Sequence, residues 1–142
     1  VALDIHPSDA KDREALAANN WRLVDPRAVA GDAEAFRAYV QASPAEFSVA
    51  QGVYVGTRCG WFSDRTVRYL ASGRPALVQD TGFGRWLLVG EGVITFRTPA
   101  EAAAGATRIV ADYPKHARAA RALAEEYFDS DKVIGQFLQD VL

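Results

Sequence analysis

Short apolar runs bounded by turn residues alternate along this chain with longer segments whose apolar residues recur every three or four positions. Ser8 to Asn20 predicts a first helix with a thin apolar face of Ala10, Leu16 and Ala17. Trp21-Arg22-Leu23-Val24 follows as a short strand stopped by Asp25-Pro26, and Gly31-Asp32 then opens a helix with the stripe Ala33, Phe36 and Val40. Gly52-Val53-Tyr54-Val55-Gly56 reads as a short strand between glycines. Pro75 to Gln79 is a continuous apolar strand of the kind covered on both faces, and Val93 to Phe96 is the last strand.

Helix starts are marked by two capping boxes. Ser43-Pro44-Ala45-Glu46 and Thr98-Pro99-Ala100-Glu101 each place a hydroxyl at the cap, proline at the first helical position and Glu two residues later. The hydroxyl accepts from an orphan N–H and the Glu reaches back to the cap's own N–H, so helices are expected from Pro44 and from Pro99. Ser63 caps a further helix to Ser72, with Val67, Leu70 and Ala71 inward and Gly73 as its stop. The tail carries three helical stripes: Ala102, Ala106, Ile109, Val110 and Tyr113, broken or kinked by Pro114; Ala117, Ala120, Leu123, Ala124 and Tyr127; and Val133, Ile134, Phe137, Leu138 and Val141. Strands separated by helices predict an α/β fold: a Rossmann-like parallel sheet of about four strands flanked by helices, with a helical C-terminal tail. Residues 1–142 are expected to form a single domain, with no internal repeat or low-complexity segment.

Composition narrows the function classes. The hydrophobic share is 49% and the charged share 24%, ordinary globular values. Sixteen basic and 18 acidic side chains give a formal charge of −2, which offers no footprint for nucleic acid or an anionic membrane. No apolar run approaches the roughly 20 residues of a membrane helix. The single cysteine, Cys59, rules out an internal disulfide and fits a reducing, cytoplasmic compartment. A chain that begins Val1-Ala2-Leu3-Asp4 and has no Met is expected to be cut from a longer protein or processed.

In an open α/β sheet, ligands bind outside the carboxyl ends of the strands. Two loops meet that condition: Gly56 to Ser63, entering a helix at Asp64, and Asp80-Thr81-Gly82-Phe83-Gly84. The first ends at a helix N-terminus, whose unpaired N–H groups suit a phosphate. Arg58 and Arg65 are placed to add bidentate contacts to a diphosphate, and Trp61 or Phe62 to stack on a base. The same glycines also serve turn geometry alone, and an arginine in a helix's first turn is commonly a solvated charge, so spacing leaves both readings open. No GxGxxG and no Walker lysine occurs.

Other groups carry less. Cys59 has no His near it in sequence and reads as a nucleophile or a passive small residue. His116, beside Lys115 and Arg118, reads as part of a solvated face, and two isolated histidines, His6 and His116, make no metal site. Glu125, Glu126, Asp129 and Asp131 straddle a helix junction, where capping explains them.

The stretch GWFSDRTVRYLASGRPALVQDTGF (Gly60 to Phe83), continued by VGEGVITFRT (Val89 to Thr98) and AARALAEEYFDSDKV (Ala119 to Val133), resembles the C-terminal domain of GT-B fold glycosyltransferases, group 1-like. Tyr69 to Val78 is similar to that family's helix–glycine–proline–strand element, Asp80-Thr81-Gly82 to the loop after it, and Gly90-Glu91-Gly92 to the following turn. The resemblance spans about Glu46 to Leu142. It implies a domain that binds a nucleoside diphosphate sugar for transfer to an unknown acceptor, with the N-terminal acceptor domain absent and the isolated domain inactive. The donor contacts it implies fall on Arg58, Trp61, Ser63, Asp64, Arg65, Asp80, Thr81, Gly82, Phe83 and Gly84. No metal and no cofactor is implied, and the partners are the sugar donor and the missing domain of the same protein. Retaining members carry two glutamates seven residues apart, and the matching positions here are Trp61 and Arg68, with Asp64 the nearest acidic substitute. A second reading keeps the α/β domain and makes it a non-enzymatic interaction module that docks through the apolar stripe Val133 to Val141.

Overall fold

The computed structural model describes residues 1–6 and 8–142, which divide into two compact units, Val1–Ala42 and Ser43–Leu142. The first unit is helical: α1 (Ala10–Ala18), α2 (Pro26–Ala30) and α3 (Ala33–Ala42). Asp25 caps α2 by accepting from Arg27 N–H at 2.9 Å, with Pro26 at the first helical position, where its missing N–H costs nothing. Asp32 Oδ1 accepts from Ala35 N–H at 2.8 Å at the start of α3, as its sequence predicts, and Val40 is the buried residue of that helix. The strand expected at Trp21–Val24 is reduced to an isolated parallel bridge between Ala2 and Val24. Without a second ladder rung the segment does not propagate as sheet.

The second unit is an α/β layer structure. Strands β1 (Glu46–Ser48), β2 (Ala76–Gln79) and β3 (Val93–Phe96) form a parallel sheet in the order β1-β2-β3. Around it run α4 (Gly52–Thr57), α5 (Asp64–Ala71), α6 (Pro99–Ala111), α7 (Tyr113–Tyr127) and α8 (Ser130–Val141). The sheet has three strands, not about four, and two local expectations are overturned. The Ser43 capping box opens a strand, because Glu46 N–H bonds Pro75 O at 2.9 Å and joins β2 instead of a helix. Gly52 to Gly56 is the short helix α4, with Tyr54 and Val55 half-buried, and it ends where Arg58 takes the left-handed conformation. β-branched propensity is a weak prior over so short a run.

The strand period of two assigns the layers. Ala76, Val78 and Val93 face one core with Leu70, Leu123 and Ala124 of α5 and α7. Leu77, Ile94 and Phe96 face the other with Ile109 of α6. This two-sided cover is why β2 is apolar from Ala76 to Val78, with a large apolar side chain contributing about 1.5–3 kcal/mol on burial. α6 lies close to the sheet at Gly105, where a Cβ would stand 2.6 Å from Leu77 Cδ1 and 2.9 Å from Ile94 Cγ2.

The predicted stops hold. Gly73 has φ +65°, its N–H bonds Leu70 O at 2.9 Å and Arg74 N–H bonds Tyr69 O at 2.9 Å, a Schellman cap to α5. Thr98 Oγ1 accepts from Glu101 N–H at 3.2 Å, while Glu101 turns back to accept from Arg97 N–H at 2.6 Å. Pro114 does not kink a continuous helix: the chain breaks at Asp112, which caps α7, and Pro114 sits in the first turn of that helix. Asp129 caps α8 through Asp131 and Lys132 N–H groups, so the acidic junction is a cap as expected. His116 departs from expectation. It is buried, and its Nδ1 accepts from Gly92 N–H at 3.3 Å. The stripe Val133, Ile134, Phe137, Leu138 and Val141 is exposed along its whole length. Among the described residues no helix is long and apolar enough to cross a membrane.

Candidate functional site

The carboxyl ends of β2 and β3 put two residues side by side. Asp80 follows the last residue of β2 and Arg97 the last residue of β3, and Asp80 N–H bonds Phe96 O at 2.9 Å. The Asp80 side chain is 10% exposed and carries three kinds of contact. Its Oδ1 accepts from Gly82 N–H at 2.8 Å. Its Oδ2 accepts from Arg97 Nε at 2.8 Å and Nη2 at 2.7 Å. Arg58 Nη1 stands 3.5 Å from the same oxygen. Burial pushes the Asp80 carboxyl up, but the Gly82 N–H, the Arg97 hydrogen bonds and charge, and the Arg58 charge outweigh it and hold the carboxyl below its ordinary value.

The arginines on this carboxylate are exposed. Side-chain exposure is 51% for Arg58 and 63% for Arg97, so each retains donors facing solvent after binding Asp80. Arg85 joins them, with Nη2 on Arg58 O at 2.6 Å and Nε on Gly82 O at 3.1 Å. Two guanidiniums therefore share the Asp80 carboxylate, while Arg85 binds the main-chain carbonyls of the two loops beside it. Two exposed cations on one largely buried carboxylate leave this edge of the sheet locally positive.

The two loops singled out from sequence are brought together. Gly60 N–H bonds Thr81 O at 2.8 Å, Thr81 Oγ1 bonds Trp61 O at 2.5 Å and Trp86 Nε1 bonds Gly60 O at 3.3 Å. Gly82 has φ +93°, and a Cβ there would lie 2.9 Å from Arg58 O, so the loops meet at a distance that only glycine permits. Arg58 is itself left-handed at φ +49°, which costs a non-glycine residue of order 1 kcal/mol and persists because the surrounding bonds fix it.

The remaining predicted residues separate into several environments. Ser63 is buried at the cap of α5, where its Oγ accepts from Arg65 N–H at 3.3 Å. Arg65 is engaged from below: Nε bonds Glu46 Oε1 at 2.7 Å and Nη2 bonds Ser48 Oγ at 3.0 Å. Glu46 is only 3% exposed, so this ion pair braces α5 against β1. Asp64 pairs with Arg68 one turn on, at 3.1 Å on the exposed helix surface. Trp61 stacks on Tyr54 with ring centroids 4.8 Å apart. Phe62 and Phe83 pack edge to face at 4.9 Å, with Phe83 fully buried in the core. Gly84 is exposed.

Sequence reasoning passed over Arg97, Arg85 and Glu46. Arg97 had one available signal: it is the first residue beyond a predicted strand, the position that faces a ligand in an open sheet. Glu46 was hidden by a capping pattern that it does not serve. Among the described residues no three His, Cys, Asp or Glu side chains are grouped to hold a metal ion. No family model matches the chain, and no curated protein or solved structure is significantly similar to it.

Proposed function

We propose that Ser43–Leu142 binds the diphosphate of a nucleoside diphosphate sugar at the carboxyl edge of its sheet, as the donor half of a GT-B glycosyltransferase. One observation carries the reading: Asp80 anchors Arg58 and Arg97 while both guanidiniums stay open to solvent. The resemblance over Gly60 to Phe83, Val89 to Thr98 and Ala119 to Val133 supports it. Three parallel strands flanked by helices agree with a Rossmann-like frame for that donor half. The single exposed thiol, Cys59, accords with a cytoplasmic setting.

In this reading the protein's work is electrostatic. Charge builds on the diphosphate as the sugar leaves, and guanidiniums already fixed by Asp80 meet that charge without reorganising; one such donor is worth about 10²–10³ in rate. Transfer needs the acceptor domain, so the isolated chain binds donor without turnover. Calorimetric titration with UDP, GDP and dTDP tests the binding half. Heat with at least one of them, weakened at least about tenfold by Arg97→Ala, is the expected result. No heat and no thermal protection from any of the three overturns the reading.

A second reading rests on α8. Val133, Ile134, Phe137, Leu138 and Val141 are between 47% and 64% exposed, a stripe suited to burial against a protein partner. As a non-enzymatic interaction module the chain would associate through this helix, lose that association on Phe137→Asp, and ignore nucleotides.

A further inference from the structure

We infer that His116 is an acid-sensitive latch joining α7 to the turn that leads into β3. The ring is buried, and its Nδ1 accepts the main-chain N–H of Gly92. An acceptor at Nδ1 fixes the neutral ring as the tautomer protonated at Nε2. Gly92 is in close contact with the helix: a Cβ on it would stand 2.5 Å from Ala120 N and 2.7 Å from Ala119 C, so the turn lies directly on the backbone of α7. Two further bonds clamp the same turn. Arg108 Nη2 donates to Gly90 O at 3.0 Å, and Lys115 pairs with Glu91 at 2.7 Å.

Protonation at Nδ1 replaces the acceptor with a second donor, and two N–H groups then face each other in a buried gap. A buried donor left without an acceptor is costly, so the turn lifts to let the Gly92 N–H find one. The charged groups on the turn, on the first two turns of α7 and on the residues bonded to them are Glu91, Lys115, Arg118, Asp112 and Arg108, with Arg74 next to Gly73, whose Cβ position faces Ala117 O. Glu91 is occupied by Lys115 and Asp112 by the cap of α7, so neither is spare to compensate a charged ring. Arg108 stays cationic throughout and adds to the cost of a second positive charge.

The chain has two histidines, so His6→Ala leaves His116 as the sole imidazole for nitrogen-detected spectra. At about pH 8 the ring is expected to carry its proton on Nε2, and between about pH 8 and pH 5 the exchange protection of the Gly92 amide should fall at least about tenfold relative to that of Ile94. His116→Asn keeps an acceptor at the Nδ1 position and cannot titrate, so its ratio should stay flat. A proton on Nδ1 at the alkaline end overturns the latch. So does a Gly92-to-Ile94 ratio in the unsubstituted ring that ignores pH, or an equal fall in His116→Asn. The first two readouts need no change at His116, so they decide even where that variant does not fold.

Discussion

Arg97 closes both Nε and Nη2 on one oxygen of Asp80, 17 residues earlier in the chain, at 2.8 and 2.7 Å. The bond ties the carboxyl end of β3 to that of β2 beyond the last rung of their ladder. Asp80→Ala would leave two guanidiniums without their shared anchor and the Gly82 N–H without its acceptor. We expect a loss of about 1–3 kcal/mol in urea unfolding.

That anchor also sets an acid limit. The folded carboxyl lies below its ordinary value, so between the two values the unfolded state binds more protons and stability rises with pH. The contribution is fully present above the ordinary carboxylate range, about 3.9, and is lost as pH falls through the lower folded value. Urea midpoints of the native protein and of Asp80→Asn should differ near neutrality and converge at the acid end. A constant difference would show that the ion pair does not stabilise the fold.

The glycines at the loop contact predict a graded series. Gly82→Ala combines a left-handed φ with a Cβ 2.9 Å from Arg58 O, and should cost about 1–3 kcal/mol. Gly92→Ala meets the backbone of α7 at 2.5 Å and should cost more. Gly84→Ala brings its Cβ no closer than 3.7 Å to Val89 and should be nearly neutral. Thermal melting of the three variants reads the order directly.

Thr98→Ala should cost about 1 kcal/mol, because it removes the acceptor for Glu101 N–H at the start of α6. Chemical denaturation at neutral pH is the measurement.

Phe137→Asp should leave monomer stability within about 0.5 kcal/mol, since the ring is 61% exposed. Sedimentation over a concentration series separates that from any association through α8.

The two capping boxes show where local grammar ends. Ser43 and Thr98 open the same pattern, yet only the second starts a helix. Thr98 sits past the end of β3, with the chain free to turn. Glu46 instead has a strand partner in Ala76 and a cation in Arg65, and those contacts, far apart in sequence, outweigh one cap. The short run Val53-Tyr54-Val55 failed for a related reason: no neighbouring strand pairs with it, and a helical turn leads to the left-handed Arg58. The loops Gly56–Ser63 and Asp80–Gly84 were legible because glycines, a helix cap and strand ends mark them locally. For Arg97 only its place after a strand was legible; its pairing with Asp80, 17 residues earlier, is a distance that no local pattern encodes.

Cys59 stands exposed between Arg58 and Gly60, inside the braced loop, and it is the chain's one thiol. The molecule thus carries a native attachment point for a fluorophore one residue from Arg58, one of the two exposed guanidiniums on Asp80. A dye placed there by maleimide chemistry would report, by its own emission and in the unmutated sequence, whether an added nucleotide changes the surroundings of Arg58.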